Sequence, residues 1–181
     1  MIETKADFAR ALERLGRRDA ESLAAFILSL AQDSGPVGDH VRTFVVGNDV
    51  AEAVASIGER IGDFQSATEY AHRHARGKEI GASLVFILES IETLVLPVDS
   101  RAAFRLLVKL YEADAVAMDN CGDHDFEVTA AFERAAQLIG RAAESLPQTE
   151  VVAALDALLD DDGYGVRGLL TEVIANRDGD R

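Results

Sequence analysis

Residues 119–127 hold the side chains of this sequence that are best suited to chemistry, because carboxylates, a thiol and an imidazole fall within one short stretch. Ligands of these types bind divalent cations in proteins. The candidate metal ligands are Asp119, Cys121, Asp123, His124 and Asp125. The spacing does not match an EF-hand loop, which has an acid at its third position where this stretch has Cys121. The stretch therefore allows a divalent-metal or small-molecule site, but one of no standard type.

Helix capping explains the same acids without any ligand. A helix that carries Val128 and Phe132 is predicted to follow, and Asp123 or Asp125 precedes it. An aspartate at this place accepts a hydrogen bond from the unpaired N–H groups of the first helical turn. Its charge also favours the positive end of the helix, by about 0.3–1 kcal/mol. We therefore expect capping, with metal binding as the alternative.

A second acidic cluster, residues 160–165, combines three aspartates with Gly163, Tyr164 and Gly165. Its acids follow a predicted helix, whose negative C-terminal end disfavours them. We predict that Gly163 supplies a left-handed cap and that one of the aspartates caps the next helix. The functional interpretation is a loop that receives a basic group of a partner, with Tyr164 offering a flat ring and a hydroxyl.

The other motifs give little support to catalysis. His72 and His74 are two residues apart, so a helix would point them about 200° apart and they could not share a metal. A nucleophile pair of Cys121 with His124 would need a third, orienting group. Nucleophile-elbow, Walker A and dinucleotide-binding motifs are absent from the sequence. We predict no catalytic residue and no cofactor, and the enzyme question stays open with the balance against an enzyme.

The charge of the chain is concentrated toward its C-terminal end. The formal net charge is −14, and residues 110–181 carry 16 acidic against 5 basic side chains, whereas residues 1–109 carry 16 against 13. Binding to phosphates requires clustered Lys and Arg. This distribution argues against nucleic acid and against anionic membranes as partners, and it is compatible with a basic protein partner or with plain solubility.

Apolar residues recur at helical spacing along nearly the whole chain, and no run alternates with period two. The pattern predicts an all-α fold of about eight or nine helices, arranged as an antiparallel bundle or a short, solenoid-like stack of helix hairpins. We expect one domain over residues 1–181, with a boundary near residues 62–78 as an alternative. The predicted helix N-caps are Asp19, Asn48, Asp99 and Thr149.

The sequence also bears on the compartment. Cys121 is the single cysteine, so no intrachain disulfide can form. The first residues lack the basic and apolar regions of a signal peptide, and no segment approaches about 18 consecutive apolar residues. We therefore expect a cytoplasmic protein that does not span a membrane.

The C-terminal half resembles a known family pattern. The segment from Cys121 to Asp125, then Val128 and Phe132, and then the turn at residues 162–165 are similar to an uncharacterised bacterial family, domain of unknown function 6880. The resemblance implies an all-helical fold and no established activity.

The resemblance extends weakly upstream, through residues 23–30 and 57–96. At Gly122, His124 and Phe126 the sequence departs from that pattern, which has Asp, Ser and Gly there.

Three functions remain open on the sequence. The leading hypothesis is a non-catalytic helical protein-interaction module whose partner is a protein with a basic patch, or a second copy of this chain in a homodimer. Its candidate partner-binding residues are Asp123, Asp125, Asp161, Asp162 and Tyr164. The alternative is a small-molecule or metal-dependent activity at residues 119–127, and the second alternative is an acidic mimic of nucleic acid.

Overall fold

The computed structural model describes residues 13–31, 41, 49–66, 77–120, 126–160 and 162–178. The chain divides into two compact units, residues 1–45 and 46–181. In the first unit, Asp19 accepts a hydrogen bond from the Ser22 amide at 2.7 Å and so caps helix α1, Ala20–Ala31, as predicted. The predicted single domain, with its alternative boundary near residues 62–78, stays a prediction.

The second unit is helical throughout its described residues. Its α-helices are α2 (Val50–Ser66), α3 (Gly77–Ser90), α4 (Ser100–Tyr111), α5 (Asp114–Asn120), α6 (Glu127–Ala143), α7 (Gln148–Leu159) and α8 (Leu170–Asp178). A π-helical segment, Ile91–Val95, continues α3, and a 3-10 turn, Arg167–Leu169, precedes α8. The described part of the chain has no strand, so the predicted all-α class is confirmed. None of its helices is long and apolar enough to cross a membrane.

The helix ends follow the predicted caps in part. Asp99 caps α4, because its side chain accepts a hydrogen bond from the Ala102 amide at 2.9 Å. The prediction for Thr149 was wrong, since α7 begins at Gln148 with Pro147 at its N-cap. Proline has no N–H to leave unpaired, and its φ is fixed near the helical value, so it starts this helix two residues before Thr149. Asn48 lies outside the described residues.

Helices α4 and α6 form the centre of the second unit. They pack against each other, while α2 also contacts α4 and α3 also contacts α6. Both present large buried side chains, among them Phe104 and Leu107 of α4 and Phe132 and Ile139 of α6. Each such side chain contributes about 1.5–3 kcal/mol through burial. Buried alanines on α6 allow neighbouring helices to approach closely, which fixes the scaffold from which α5 and the turns extend.

The π-helical segment was not predicted. Its defining hydrogen bond runs from the Leu96 amide to the Ile91 carbonyl at 2.8 Å. The wider turn keeps both Ile91 and Val95 in the core while Glu92 points outward, partly exposed. A periodicity of apolar residues cannot reveal one inserted residue in a turn, so the sequence indicated a continuous helix here.

Candidate functional site

One residue of each acidic segment, Asp119 and Tyr164, meets the other in the structure. The Tyr164 hydroxyl donates a hydrogen bond to Oδ1 of Asp119, across 45 residues of chain. Both side chains are exposed, and Tyr164 keeps 47% of its surface accessible. The hydrogen bond to Asp119 raises the pKa of Tyr164 above its ordinary value, because the carboxylate stabilises the protonated hydroxyl. A tyrosine of the turn and a carboxylate near the end of α5 thus form one exposed polar pair.

The turn that presents Tyr164 is closed by Asp162. One carboxylate oxygen of Asp162 accepts hydrogen bonds from the Gly165 amide at 2.7 Å and from the Arg167 amide at 3.4 Å. Asp162 thus closes the turn itself, whereas the N-cap of the 3-10 turn is Val166, which makes no side-chain capping hydrogen bond. The left-handed residue is Gly165, with φ of 78°, so the prediction that Gly163 takes this role was wrong. The glycine is needed where the chain turns back toward Arg167, two residues after Gly163.

Below this turn lies a buried ion pair between Asp114 and Arg167. Nε and Nη2 of the guanidinium donate to the two carboxylate oxygens, each at 2.7 Å, in a bidentate arrangement. The Arg167 Nη1 donates to the Leu158 carbonyl at 2.8 Å. Asp114 is the first residue of α5, and Leu158 lies in the last turn of α7. The negative Asp114 therefore lies at the positive N-terminal end of α5, and the positive Arg167 contacts the negative C-terminal end of α7.

Tyr111 lies at the end of α4, three residues before Asp114. Its hydroxyl donates to the Phe132 carbonyl at 2.7 Å, and its ring lies 5.2 Å from the Phe132 ring, tilted by 58°. Burial raises the pKa of Tyr111 above its ordinary value, and the negative charge of Asp114 adds to this effect. Tyr111 is thus a neutral hydrogen-bond donor that ties α4 to α6, and it is inaccessible to a partner.

Phe126, which precedes α6, combines two unfavourable features. Its φ is 55°, in the left-handed region, and 70% of its surface is exposed. Left-handed backbone suits glycine, the residue that the resembled pattern has at this position. The helix start itself is fixed by packing, because Gly81 of α3 lies against Glu127, with only 2.9 Å available between a Cβ at Gly81 and the Glu127 Cβ. The chain thus holds an aromatic ring in water where folding alone would favour a glycine.

Only some of the predicted partner-binding residues are among the residues that the structure describes. Asp162 and Tyr164 belong to one turn, and Asp119 contacts that turn. Asp123, Asp125 and Asp161 lie outside the described residues. Their predicted roles in capping and in partner binding stay predictions. The N-cap position of α6 itself is Phe126, whose side chain makes no capping hydrogen bond.

Only one of the predicted metal ligands is among the described residues. The structure describes Asp119, whose carboxylate accepts a hydrogen bond from Tyr164. The other predicted ligands lie outside the described residues: Cys121, Asp123, His124 and Asp125. The described residues contain no group of three or more His, Cys, Asp or Glu side chains arranged to hold a metal ion.

The sequence analysis missed the pair that supports this region, Asp114 and Arg167. One pattern could have indicated it. Residues 110–181 hold few cations among many acids, and Arg167 lies two residues after the acidic cluster, between the apolar residues Val166 and Leu169. A lone arginine in such a context is a candidate for a buried partner of one acid.

The fold and this region define an all-α protein with an exposed tyrosine–carboxylate pair on an acidic half. A family model described as "Family of unknown function (DUF6880)" matches residues 4–179, and the chain belongs to that family. The resemblance noted from residues 121–132 and 162–165 is therefore confirmed. No curated protein and no solved structure matches the chain.

Proposed function

We propose that this protein is a non-catalytic interaction module whose acidic C-terminal half binds a protein partner through a basic patch. The observation that carries the proposal is the hydrogen bond between Tyr164 and Asp119, which brings one residue of each acidic segment together at an exposed position. We call the exposed surface formed by Asp119 and Tyr164 the acidic surface. Tyrosine and arginine are enriched at protein interfaces, and an arginine of the partner can pair with the carboxylate and stack on the ring.

Phe126 supports the same proposal from an independent observation. An exposed aromatic side chain on left-handed backbone is unfavourable for folding, so its presence is better explained by a role outside folding. Phenylalanine can supply the apolar centre that an interface needs. The negative charge of the acidic half would accelerate association with a basic partner and would disfavour acidic partners.

The test compares capture of proteins from the native host's lysate by the wild type and by the variant Asp119→Asn/Tyr164→Ala. Asp156→Asn, a change at an exposed acid of α7, is the matched control because it removes the same single charge elsewhere. We expect a protein that the wild type and the control retain and the variant loses. Binding of that purified protein should weaken at high salt, measured by calorimetry.

A second variant extends the test to the undescribed acids, with Asp123, Asp125 and Asp161 changed to Asn. Asp162 is left unchanged because it closes the turn. Glu144, Asp156 and Glu172, three described and exposed acids, are changed to amides as the control. Equal capture by both triple variants would contradict the proposal, as would a captured partner without a basic surface.

The change Phe126→Gly separates folding from binding at one residue. Glycine removes the cost of left-handed backbone, about 1–2 kcal/mol, but adds its own entropy to the unfolded chain. We therefore expect the free energy of unfolding to rise by up to about 1 kcal/mol, measured with urea, while partner capture falls. A clear loss of stability would instead assign Phe126 to the fold.

A further inference from the structure

The turn at residues 162–167 is held on helix α5 at two points of different chemistry. Arg167 pairs with Asp114 at the N-terminal end of α5, and Tyr164 donates to Asp119 near its C-terminal end. The two acids are five residues apart, which places them about 7.5 Å apart along the helix axis. The turn therefore lies along α5, and one side-chain contact holds it near each end of that helix.

The two contacts differ in how strongly they can hold the turn on α5. The side chains of Arg167 and Asp114 are only 6% and 1% exposed, so water and salt do not compete for their hydrogen bonds. Tyr164 and Asp119 are exposed, and a single surface hydrogen bond contributes little after its competition with water. The exposed contact consequently depends on a turn that something else has already placed.

Arg167 also reaches the preceding helix. Its Nη1 donates to the Leu158 carbonyl, so the guanidinium closes the segment that leads from α7 to the 3-10 turn. Inside that segment, Asp162 and the left-handed Gly165 set the backbone on either side of Tyr164. The arginine thus joins the ends of α5 and α7 and the start of the 3-10 turn.

We infer that the Asp114–Arg167 pair is a positioning joint that holds Tyr164 against Asp119 and so pre-forms the acidic surface. The dependence is one-sided: loss of the joint releases Tyr164, whereas loss of the Tyr164 hydroxyl leaves the joint intact. A surface formed before binding spares a partner the entropy of ordering it. The inference concerns the surface on which the proposed function rests, but it makes no use of a partner, and its test needs none.

The experiment measures Tyr164 and the turn separately in the full chain. NMR titration gives the pKa of Tyr164, assigned by the signal that disappears in Tyr164→Phe, and hydrogen exchange reports on residues 160–168. In Arg167→Gln we expect the pKa of Tyr164 to fall from its measured wild-type value toward the ordinary value of about 10, and the turn to exchange at least about tenfold faster. In Tyr164→Phe we expect exchange of the turn to change by less than about threefold. Arg101→Gln, which breaks the exposed pair with Glu150, is the control and should change neither quantity.

Two further measurements guard against a variant that fails to fold. The double variant Asp114→Leu/Arg167→Met replaces the buried pair with apolar side chains, a change that proteins commonly tolerate, and the pKa of Tyr164 should fall below its wild-type value there too. In the wild type, the Gly165 and Arg167 amides should exchange together with the Ala117 amide of α5 in one opening.

Each contrary result overturns the inference. These results are a pKa of Tyr164 that equals the wild-type value in any folded variant without the pair, equal acceleration of exchange in Tyr164→Phe and Arg167→Gln, or an earlier and separate opening of the turn in the wild type. Partner capture plays no part in these outcomes, so the joint can fail while the proposed function stands, and the reverse.

Discussion

Two arginine–carboxylate clusters in this molecule use the same groups in opposite surroundings. In the buried joint, Arg167 and Asp114 are almost fully removed from water. On the π-helical segment, Glu92 binds Arg134 at 2.8 Å and Arg141 at 2.5 Å, with side chains that keep 29%, 35% and 55% of their surface exposed. Geometry alone would rank the clusters as similar, since both give one carboxyl group two short hydrogen bonds from guanidinium groups.

The difference in burial gives the clusters different roles. Removing one partner of a buried pair leaves an uncompensated charge in a medium of low dielectric, which costs several kcal/mol. Water and salt replace a lost partner at the surface, so an exposed pair contributes about 0–1 kcal/mol. The joint can therefore determine where a turn lies, whereas the Glu92 cluster adds modest stability where α6 packs near the end of α3.

The strongest test of this comparison is a double-mutant cycle at the joint. We expect Asp114→Asn and Arg167→Met each to lower the free energy of unfolding by about 3–5 kcal/mol, because each leaves a buried charge or donor unpaired. The double variant Asp114→Leu/Arg167→Met should recover most of that loss. Urea unfolding of the four proteins measures the coupling.

The same cycle at the surface is the control. Glu92→Gln and Arg134→Met should show a coupling below about 1 kcal/mol, and high salt should reduce it further. Couplings of equal size in the two cycles would show that burial does not separate the clusters.

A neutral hydrogen bond beside the joint should have an intermediate effect. Tyr111→Phe removes the donor to the Phe132 carbonyl but keeps the ring contact, so we expect a loss of about 1 kcal/mol. Because the pKa of Tyr111 is raised in the fold, this contribution is complete below pH about 10 and is lost as the pH rises through the folded pKa. Urea unfolding of both proteins at neutral pH measures it, and an unchanged stability would show that the hydroxyl does not tie α4 to α6.

The fold was largely predictable because it depends on periodicity. Stripes such as Phe104, Leu107 and Tyr111 repeat over many residues, and each repeat adds to the same conclusion. The errors fell where a single residue decides. Pro147 rather than Thr149 starts α7, and the π-helical turn adds one residue that no stripe records.

The site was predictable only in its exposed parts. Asp162 and Tyr164 belong to one conspicuously acidic segment of the sequence and Asp119 to another, but the contact of Tyr164 with Asp119 depends on the tertiary fold. The sequence could mark Arg167 as a candidate for a buried cation, but its pairing with Asp114 could not be predicted, because a contact across 53 residues leaves no local pattern. The choice between Gly163 and Gly165 likewise required the path of the chain toward Arg167.

The smallest expected effect lies at Glu92, and its pH dependence identifies it. Hydrogen bonds from Arg134 and then Arg141 hold the pKa of Glu92 below its ordinary value. A group whose pKa is lowered in the folded state adds stability above its unfolded pKa of about 4.3. That contribution is lost as the pH falls through the pKa of the folded state. Glu92→Gln should therefore lower the free energy of unfolding by about 0.5–1 kcal/mol at neutral pH and by progressively less as the pH falls below about 4. Urea unfolding of both proteins across this range measures the difference. A difference that stays constant with pH would mean that Glu92 acts through packing, and the contrast with the buried joint would then rest on something other than charge.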